Sequence, residues 1–392
     1  MSEQQRICKQ LLLLVGSNPL PNLIAALILK PESICLFYSR ETKPVKDQLF
    51  ETLKVTVGKE RLNENFIEDA TDPSKVRRAF ASISADAHLH YTGGTKIMAA
   101  HARMAFREVG GKDGQASYLD ERKAVLRFDD GYEIDIASHR LKLTIDEILG
   151  LHGIKINPTG VVCQSPSTKQ DIPSDADVKK IAEAVLDNPC LANRLYNINR
   201  EDSEPRPFSD AKRCPVQIDD LVSGMTIKQL PENAWTKDTY KKWCKFLEGG
   251  WLEHWCGGLV QDIAKESEVH VSVNCRRANG RLFEIDVAFI RGHRLYVISC
   301  TTDTRIHLCK SKLFEVAMRA RQLGGDLARS ALVCLLHGSN DNGLYVAQLR
   351  YDVADIWGAS NTPRVFGLDD LREWAGIHGE PKVGTLQQWL ES

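Results

Sequence analysis

One pattern, repeated four times in the first 110 residues, restricts this chain more than anything else in it: a short apolar run, a turn of small polar residues, then a helix with one apolar face. Leu11 to Val15 is a continuous apolar run ending at Gly16, and the turn Gly16-Ser17-Asn18-Pro19-Leu20-Pro21-Asn22 leads to a helix over Leu23 to Leu29. Ile34 to Tyr38, the turn Ser39-Arg40-Glu41-Thr42 and a helix with Val45, Leu49 and Leu53 on one face repeat the arrangement. Phe66 and Ile67, the turn Asp69-Ala70-Thr71-Asp72 and a helix with Val76, Phe80 and Ile83 make a weaker third copy. In the fourth, Leu89 and Tyr91 end a strand, Thr92-Gly93-Gly94-Thr95-Lys96 turns the chain, and Ile97, Ala100 and Met104 recur at helical spacing. Continuous apolar runs suit strands buried on both faces, and strands alternating with helices predict a doubly wound α/β sheet. Such sheets bind ligands at the carboxyl ends of their strands. Here those ends carry Ser17 and Asn18, Ser39 and Thr42, and Thr92, Gly93, Gly94, Thr95 and Lys96.

The fourth turn has anion chemistry. Two glycines let the backbone approach a ligand, the following helix start favours negative charge, and Lys96 adds a full positive charge. A Gly-Gly turn is more often plain strand-to-helix geometry, and the spacing is not that of a P-loop. The net charge is −1, so no global positive field draws in nucleic acid and a polyanion must be met by local charge.

After Gly111 the pattern becomes antiparallel: Ala116 to Asp120, Ala124 to Phe128 and Tyr132 to Ile136, with Asp129-Asp130-Gly131 as a hairpin turn. Thr144-Ile145-Asp146-Glu147 reads as a capping box. Asp177 to Leu186 is a helix, and the polar stretch Asn199 to Arg213 is the best linker candidate. These signals divide the chain into 1–150, a connecting region 151–235, and 236–392. No apolar run nears the roughly 20 residues of a membrane helix, and the N-terminal apolar stretch is too short for a signal peptide. Eleven scattered cysteines without a CxxC pair read as buried thiols in a reducing, cytoplasmic setting.

In the last third, helices over Asp238 to Glu248 and Trp251 to Lys265, strands over Glu268 to Arg276, Arg281 to Arg291 and Arg294 to Cys300, a helix with Leu313, Val316, Ala317 and Ala320, and a strand over Ala331 to Leu336 follow in turn. That order is the order of a restriction-endonuclease-like core. Alternation along Phe283-Glu284-Ile285-Asp286-Val287 sets Glu284 and Asp286 on one face. Acids on a half-buried face call for a reason, and a divalent cation is one. Glu253, on the preceding helix, can reach the same place. Phosphodiester hydrolysis uses such carboxylates to hold Mg²⁺ or Mn²⁺; the same two acids could also line the solvent face of an edge hairpin.

Over nearly its whole length the chain resembles the CARF-domain nucleases of type III CRISPR systems, the Can/Card family. The resemblance rests on GSNPLPN, YSRET, DATD and YTGGTKIM at the first four turns, and on GGWLEHW, FEIDVAF and RQLGGDLARSALV later in the chain. It implies a Rossmann-like CARF domain that senses a cyclic oligoadenylate and a PD-(D/E)xK nuclease under its control. Glu253 then corresponds to the helix acid and Asp286 to the central metal ligand. The family expects Glu-x-Lys on the next strand, whereas this chain has Ile298-Ser299-Cys300-Thr301. Ser299 occupies the second acid's position and Thr301 the lysine's. A positioned acid or base commonly contributes about 10² to 10⁴-fold in rate. Asp303, Lys310 and Lys312 are the nearest replacements, with Asp303 about 13 Å along an unbent strand from Ser299.

The resemblance implies a homodimer in which both subunits' loops cradle one ring, cyclic tetra-adenylate being favoured. Lys96 and the Gly93 and Gly94 amides would meet phosphates, and Ser17, Asn18 and Thr42 ribose or adenine edges. It implies a nuclease acting on DNA, RNA or both. Two other readings compete: a receptor whose nuclease centre has decayed, and a ring nuclease that opens its own ligand with Lys96 and Ser17. A transcription regulator would need a helix-turn-helix where this chain has hairpins.

Overall fold

The structure is a computed structural model, and it describes residues 8–156, 175–197, 200–201, 204–205, 244–338, 345–358 and 361–392. Strands β1 (Gln10–Leu14), β2 (Ser33–Tyr38), β3 (Leu62–Phe66), β4 (His88–His90), β5 (Ala116–Asp120), β6 (Val125–Phe128) and β7 (Glu133–Asp135) form a seven-stranded sheet in the order β3-β2-β1-β4-β5-β6-β7. Helices α1 (Leu20–Leu29), α2 (Lys43–Val57), α3 (Pro73–Ala79) and α4 (Lys96–Glu108) connect its first strands. The apolar runs behave as expected: Leu11, Leu12, Leu13 and Leu14 are all buried, with alternate residues in the cores on opposite faces. Helix α1 begins three residues earlier than its apolar spacing suggests, at Leu20, because Pro21 fits a first turn whose N–H groups need no acceptor.

The strand over Ala116 to Asp120, expected among antiparallel pieces, pairs parallel to β4 and antiparallel to β6. It is the fifth parallel strand of a 3-2-1-4-5 order, and the antiparallel pieces begin only at β6. Chain order reverses between β1 and β4, so the first and fourth turns lie side by side at the topological switch point.

Helix α5 (Ile145–Leu151), capped by the Thr144–Glu147 box, leads to β8 (Ile154–Ile156). Helices α6 (Asp175–Asp187) and α7 (Cys190–Asn197) and a small ladder of β9 (Arg200–Glu201) with β10 (Glu204–Pro205) follow. The second unit contains α8 (Trp251–Ile263), β11 (His270–Arg277), β12 (Leu282–Arg291), β13 (Arg294–Thr301), α9 (Ile306–Gly324), β14 (Arg329–Cys334), α10 (Tyr345–Trp357), β15 (Arg364–Phe366), α11 (Leu368–Ala375) and α12 (Gly384–Glu391). Its sheet runs β15-β14-β13-β12-β11-β8. Where described, residues 151–235 therefore do not stand apart: β8 is the edge strand of the second sheet, and α6 and α7 pack into its core. Most of the linker stretch Asn199 to Arg213 and residues 238–243 of the first C-terminal helix lie outside the described residues.

The two units share one apolar core. Leu11, Ile24, Ile145 and Leu149 belong to the same buried cluster as Val273, Ile285, Val316 and Leu323. No helix among the described residues is long and apolar enough to cross a membrane, and no disulfide joins the described cysteines.

Candidate functional site

At the carboxyl edge of the first sheet, backbone contact replaces side chains. A methyl group on Gly93 would run into the Leu14 carbonyl oxygen, and one on Gly16 would lie 2.7 Å from the Gly94 nitrogen. Gly94 has φ +76°, a conformation that suits glycine. The two loops can touch only because both carry glycine. The buried Asn22 amide closes the junction with a 2.9 Å hydrogen bond to the Leu14 carbonyl.

Most hydroxyls singled out in the sequence are occupied within this edge. Thr95 caps α4 by accepting from Met98 N–H and donates to the Ala70 carbonyl, each at 3.1 Å. Thr92 accepts from Leu119 N–H at 2.6 Å. Thr42 accepts from Ser39 N–H at 3.0 Å, and the buried Ser39 hydroxyl donates to Glu41 at 2.7 Å. Asn18 accepts from Leu20 N–H at 3.1 Å, which starts α1. These residues shape the loops. Ser17 and Lys96 are exposed, and the Gly93 and Gly94 amides donate to no backbone acceptor among the described residues. Beneath the loop, His90 is fully buried and burial lowers its pKa to about 3, so the cation at the switch point is Lys96.

The second unit gathers the carboxylates. Glu253, on the first turn of α8, accepts from the Ser272 hydroxyl at 2.5 Å. Asp286 accepts from the Ser299 hydroxyl at 2.9 Å and from Cys300 N–H at 2.7 Å, both on Oδ2. Glu284 is paired with Lys245. Burial first, and then the charge of Asp286, push Glu253 up to about 7. Burial likewise raises Asp286, while the Cys300 amide and the Lys312 ammonium pull it back.

The strand alternation expected here is interrupted at the site. Ile285 lies in the core shared by the two units, but Val287 lies in the core under α8. Two residues apart on a strand, they should share a face. The reversal falls at Asp286, and Ser272, which the flanking register sets opposite it, has φ +52°. A non-glycine residue at positive φ inside a strand is strained. The sequence reading passed over Ser272, although its place between Val271 and Val273, in line with Asn274, marked it as polar on the acids' face. Lys245 had no comparable signal.

The positions that depart from Glu-x-Lys are both occupied. Ser299 spends its proton on Asp286, and Thr301 accepts from Asp303 N–H at 3.2 Å. Asp303 is held by the Arg305 guanidinium at 2.5 Å, which lowers its pKa; it belongs to the loop before α9 and does not replace the missing acid. Lys310 is paired with Asp352 at 2.6 Å. Of the three nearest replacements, Lys312 is the one whose charge acts on Asp286.

Among the described residues no group of three or more His, Cys, Asp or Glu side chains is arranged to hold a metal ion. Two carboxylates nevertheless fit a hard divalent cation. Among the described residues, every hydrogen bond to Glu253 falls on Oε2 and every one to Asp286 on Oδ2, which leaves Oε1 and Oδ1 without donors there. Mg²⁺ commonly takes one or two carboxylates and completes its shell with water and substrate phosphate.

Residues 240–377 match the family model of the Card1-like endonuclease domain. No curated protein matches the sequence. Among solved structures, Can2 from Sulfobacillus thermosulfidooxidans in complex with cyclic tetra-adenylate is similar at 17% identity and TM-score 0.65, covering 98% of both chains. Protein VC1899 from Vibrio cholerae is similar at 14% identity and TM-score 0.66, over 97% of this chain and 98% of that one. A type III CRISPR defence DNA nuclease activated by cyclic oligoadenylate is similar at 17% identity and TM-score 0.53, over 91% of this chain and 53% of the longer relative. The resemblance to the Can/Card nucleases is thus borne out: the described residues have the fold of Can2, and residues 240–377 match the Card1-like endonuclease model.

Proposed function

We propose that the protein is a cyclic-oligoadenylate receptor whose second unit is a metal-dependent nuclease acting on DNA, RNA or both, in the manner of a type III CRISPR accessory effector. The observation that carries this reading is the pair Glu253 and Asp286, each half-buried, each hydrogen-bonded through one oxygen and left with the other. Those residues would hold Mg²⁺ or Mn²⁺, which when bound supplies Lewis-acid polarisation of a phosphate and lowers the pKa of water. Ser272 fixes the rotamer of Glu253, while Ser299 and the Cys300 amide fix Asp286. Lys312, standing in for the lysine that Thr301 replaces, offsets developing negative charge near Asp286.

On the sensor side, cyclic tetra-adenylate is the favoured ring, as in the Can2 complex. Lys96 and the Gly93 and Gly94 amides suit its phosphates, with Ser17 beside them. Ile97 and Met104 on α4 are 37% and 47% exposed next to Lys96, which suits burial against a second copy of the chain about a two-fold axis. Each subunit then contributes one set of loops.

The test is incubation with cyclic tri-, tetra- and hexa-adenylate, with and without Mn²⁺ or Mg²⁺, assaying added plasmid, RNA and the ring itself. Cleavage that needs both ring and cation is expected, and Asp286→Ala should lower it by at least about 10²-fold. A second reading, a receptor with a silent nuclease centre, draws on the Ser299 and Thr301 hydroxyls being bound where an acid and a lysine are expected. It requires that no cleavage occur with either metal at saturating ring, and that Asp286→Ala leave every ring-dependent property unchanged.

A further inference from the structure

The register of the second sheet aligns three residues on one rung beside the carboxylates. Arg276 on β11 lies opposite Leu282 on β12 and opposite Lys155 on β8. The next rung on that face is Asn274 with Glu284. Residues of the other face, Val273, Cys275, Ile285 and Ile154, are buried in the core between the units. Lys155, Arg276 and Leu282 therefore look away from that core, on the side where Glu284 meets Lys245. Lys155 and Arg276 are exposed, with no ion-pair partner among the described residues, and Leu282 is 63% exposed.

The rung is rigidly mounted. Phe283 lies between two guanidinium groups, with Arg277 at 5.3 Å and Arg319 at 4.5 Å from its ring centre. Arg277 also donates to Gln322 at 3.0 Å. Both contacts fasten the hairpin to α9.

We propose that Lys155, Arg276 and Leu282 form a track for one strand of the nucleic-acid substrate, the two cations on its phosphates and Leu282 against a sugar or an unstacked base. The proposal rests on the nuclease reading and gives it a direction. Leu282 is four residues from Asp286, about 13 Å along the strand, or about four steps of a duplex strand at roughly 3.4 Å of axis each. A polyanion that threads the acid site is repelled by Glu253, Glu284 and Asp286 except where a cation intervenes. An unpaired lysine and arginine at the exposed end of the same face supply the attraction that a chain of net charge −1 otherwise lacks. An exposed leucine on the other side of Arg276 from Lys155 is the kind of apolar contact that accompanies phosphate contacts where bases are splayed.

The test uses the full chain with saturating cyclic tetra-adenylate and Ca²⁺, an oxygen-seeking cation in place of Mg²⁺, and measures fluorescence anisotropy of labelled duplex DNA, single-stranded DNA and single-stranded RNA across a salt series. Lys155→Gln/Arg276→Gln is expected to weaken the preferred probe on the order of ten-fold and to reduce the slope of log affinity against log salt by roughly 1.5 to 2, since each phosphate contact contributes about 0.7 to 0.9. Leu282→Ser should weaken binding without altering the slope. All three positions are exposed, and an unchanged melting temperature will show that the variants fold. A double variant whose affinity and slope match the wild type overturns the track and leaves the nuclease reading standing. A wild type that binds none of the probes overturns both.

Discussion

A methyl group on Gly93 has nowhere to go, because the Leu14 carbonyl oxygen already fills its place. Gly93→Ala must push the first and fourth loops apart, and it is expected to cost on the order of 1–3 kcal/mol, read as a lower urea midpoint. An unchanged midpoint would mean that the two loops do not touch. Glu253 gives a pH-dependent counterpart. Below about pH 4.5, its ordinary value, the carboxyl is protonated in folded and unfolded chain alike. As pH rises toward 7 the folded chain keeps a proton that the unfolded chain has lost, so stability falls across that interval and levels off above it. Glu253→Gln should therefore raise stability by on the order of 1–3 kcal/mol at pH 8 and leave it unchanged at pH 4; a gain of equal size at both pH values would show that ionisation of the half-buried carboxyl is not its source. Saturating Mg²⁺ should narrow the difference at pH 8. At this scale the sequence told which residues are polar at strand ends, and the acids Glu253, Glu284 and Asp286 were legible as a set. It did not tell which hydroxyls are free. Thr92, Thr95, Ser39 and Thr42 look like ligand contacts in a string of letters, and only the folded chain reveals that nearby N–H and C=O groups have claimed the threonines and the Glu41 carboxylate has claimed Ser39.

Among the elements, the apolar pattern located strands and helices well, as a continuous run in β1, buried on both faces, and as periodicity in β2, α2 and β12. It failed where neighbours decide. β5 reads as one of a run of antiparallel strands, yet β4 captures it as a parallel partner, a choice that depends on the sheet's order rather than on Ala116 to Asp120 themselves. The reversal of faces between Ile285 and Val287 is another case: alternation assumes a regular pleat, and Ser272 at φ +52° breaks it. β8 was missed because a three-residue edge strand carries too little pattern to be recognised; its place is set by Cys275, Arg276 and Arg277 alongside it.

The molecule as a whole is held together across its two sheets by the apolar cluster that contains Ile145, Leu149, Val273, Ile285 and Leu323, and by polar contacts at the end of α9. The Glu121 carboxylate accepts from Asp326 N–H, and His152 is 3.0 Å from the Leu323 carbonyl. Glu121→Ala is expected to leave the Asp326 amide without its acceptor, at about 1–3 kcal/mol, seen as faster hydrogen exchange at Asp326 and Leu327; protection equal to wild type would mean that the contact does not hold the units together. Gly325, at φ +64°, lies against Asn18 of the first loop and against Glu121, and a side chain there would strike both. From that turn α9 runs back over 19 residues, about 28 Å, with Lys312 in the second turn from its other end, about 18 Å from Gly324 along the axis. One helix therefore sets the spacing between the first loop, against which its C-terminal turn is seated at Asn18, and the ammonium group whose charge acts on Asp286.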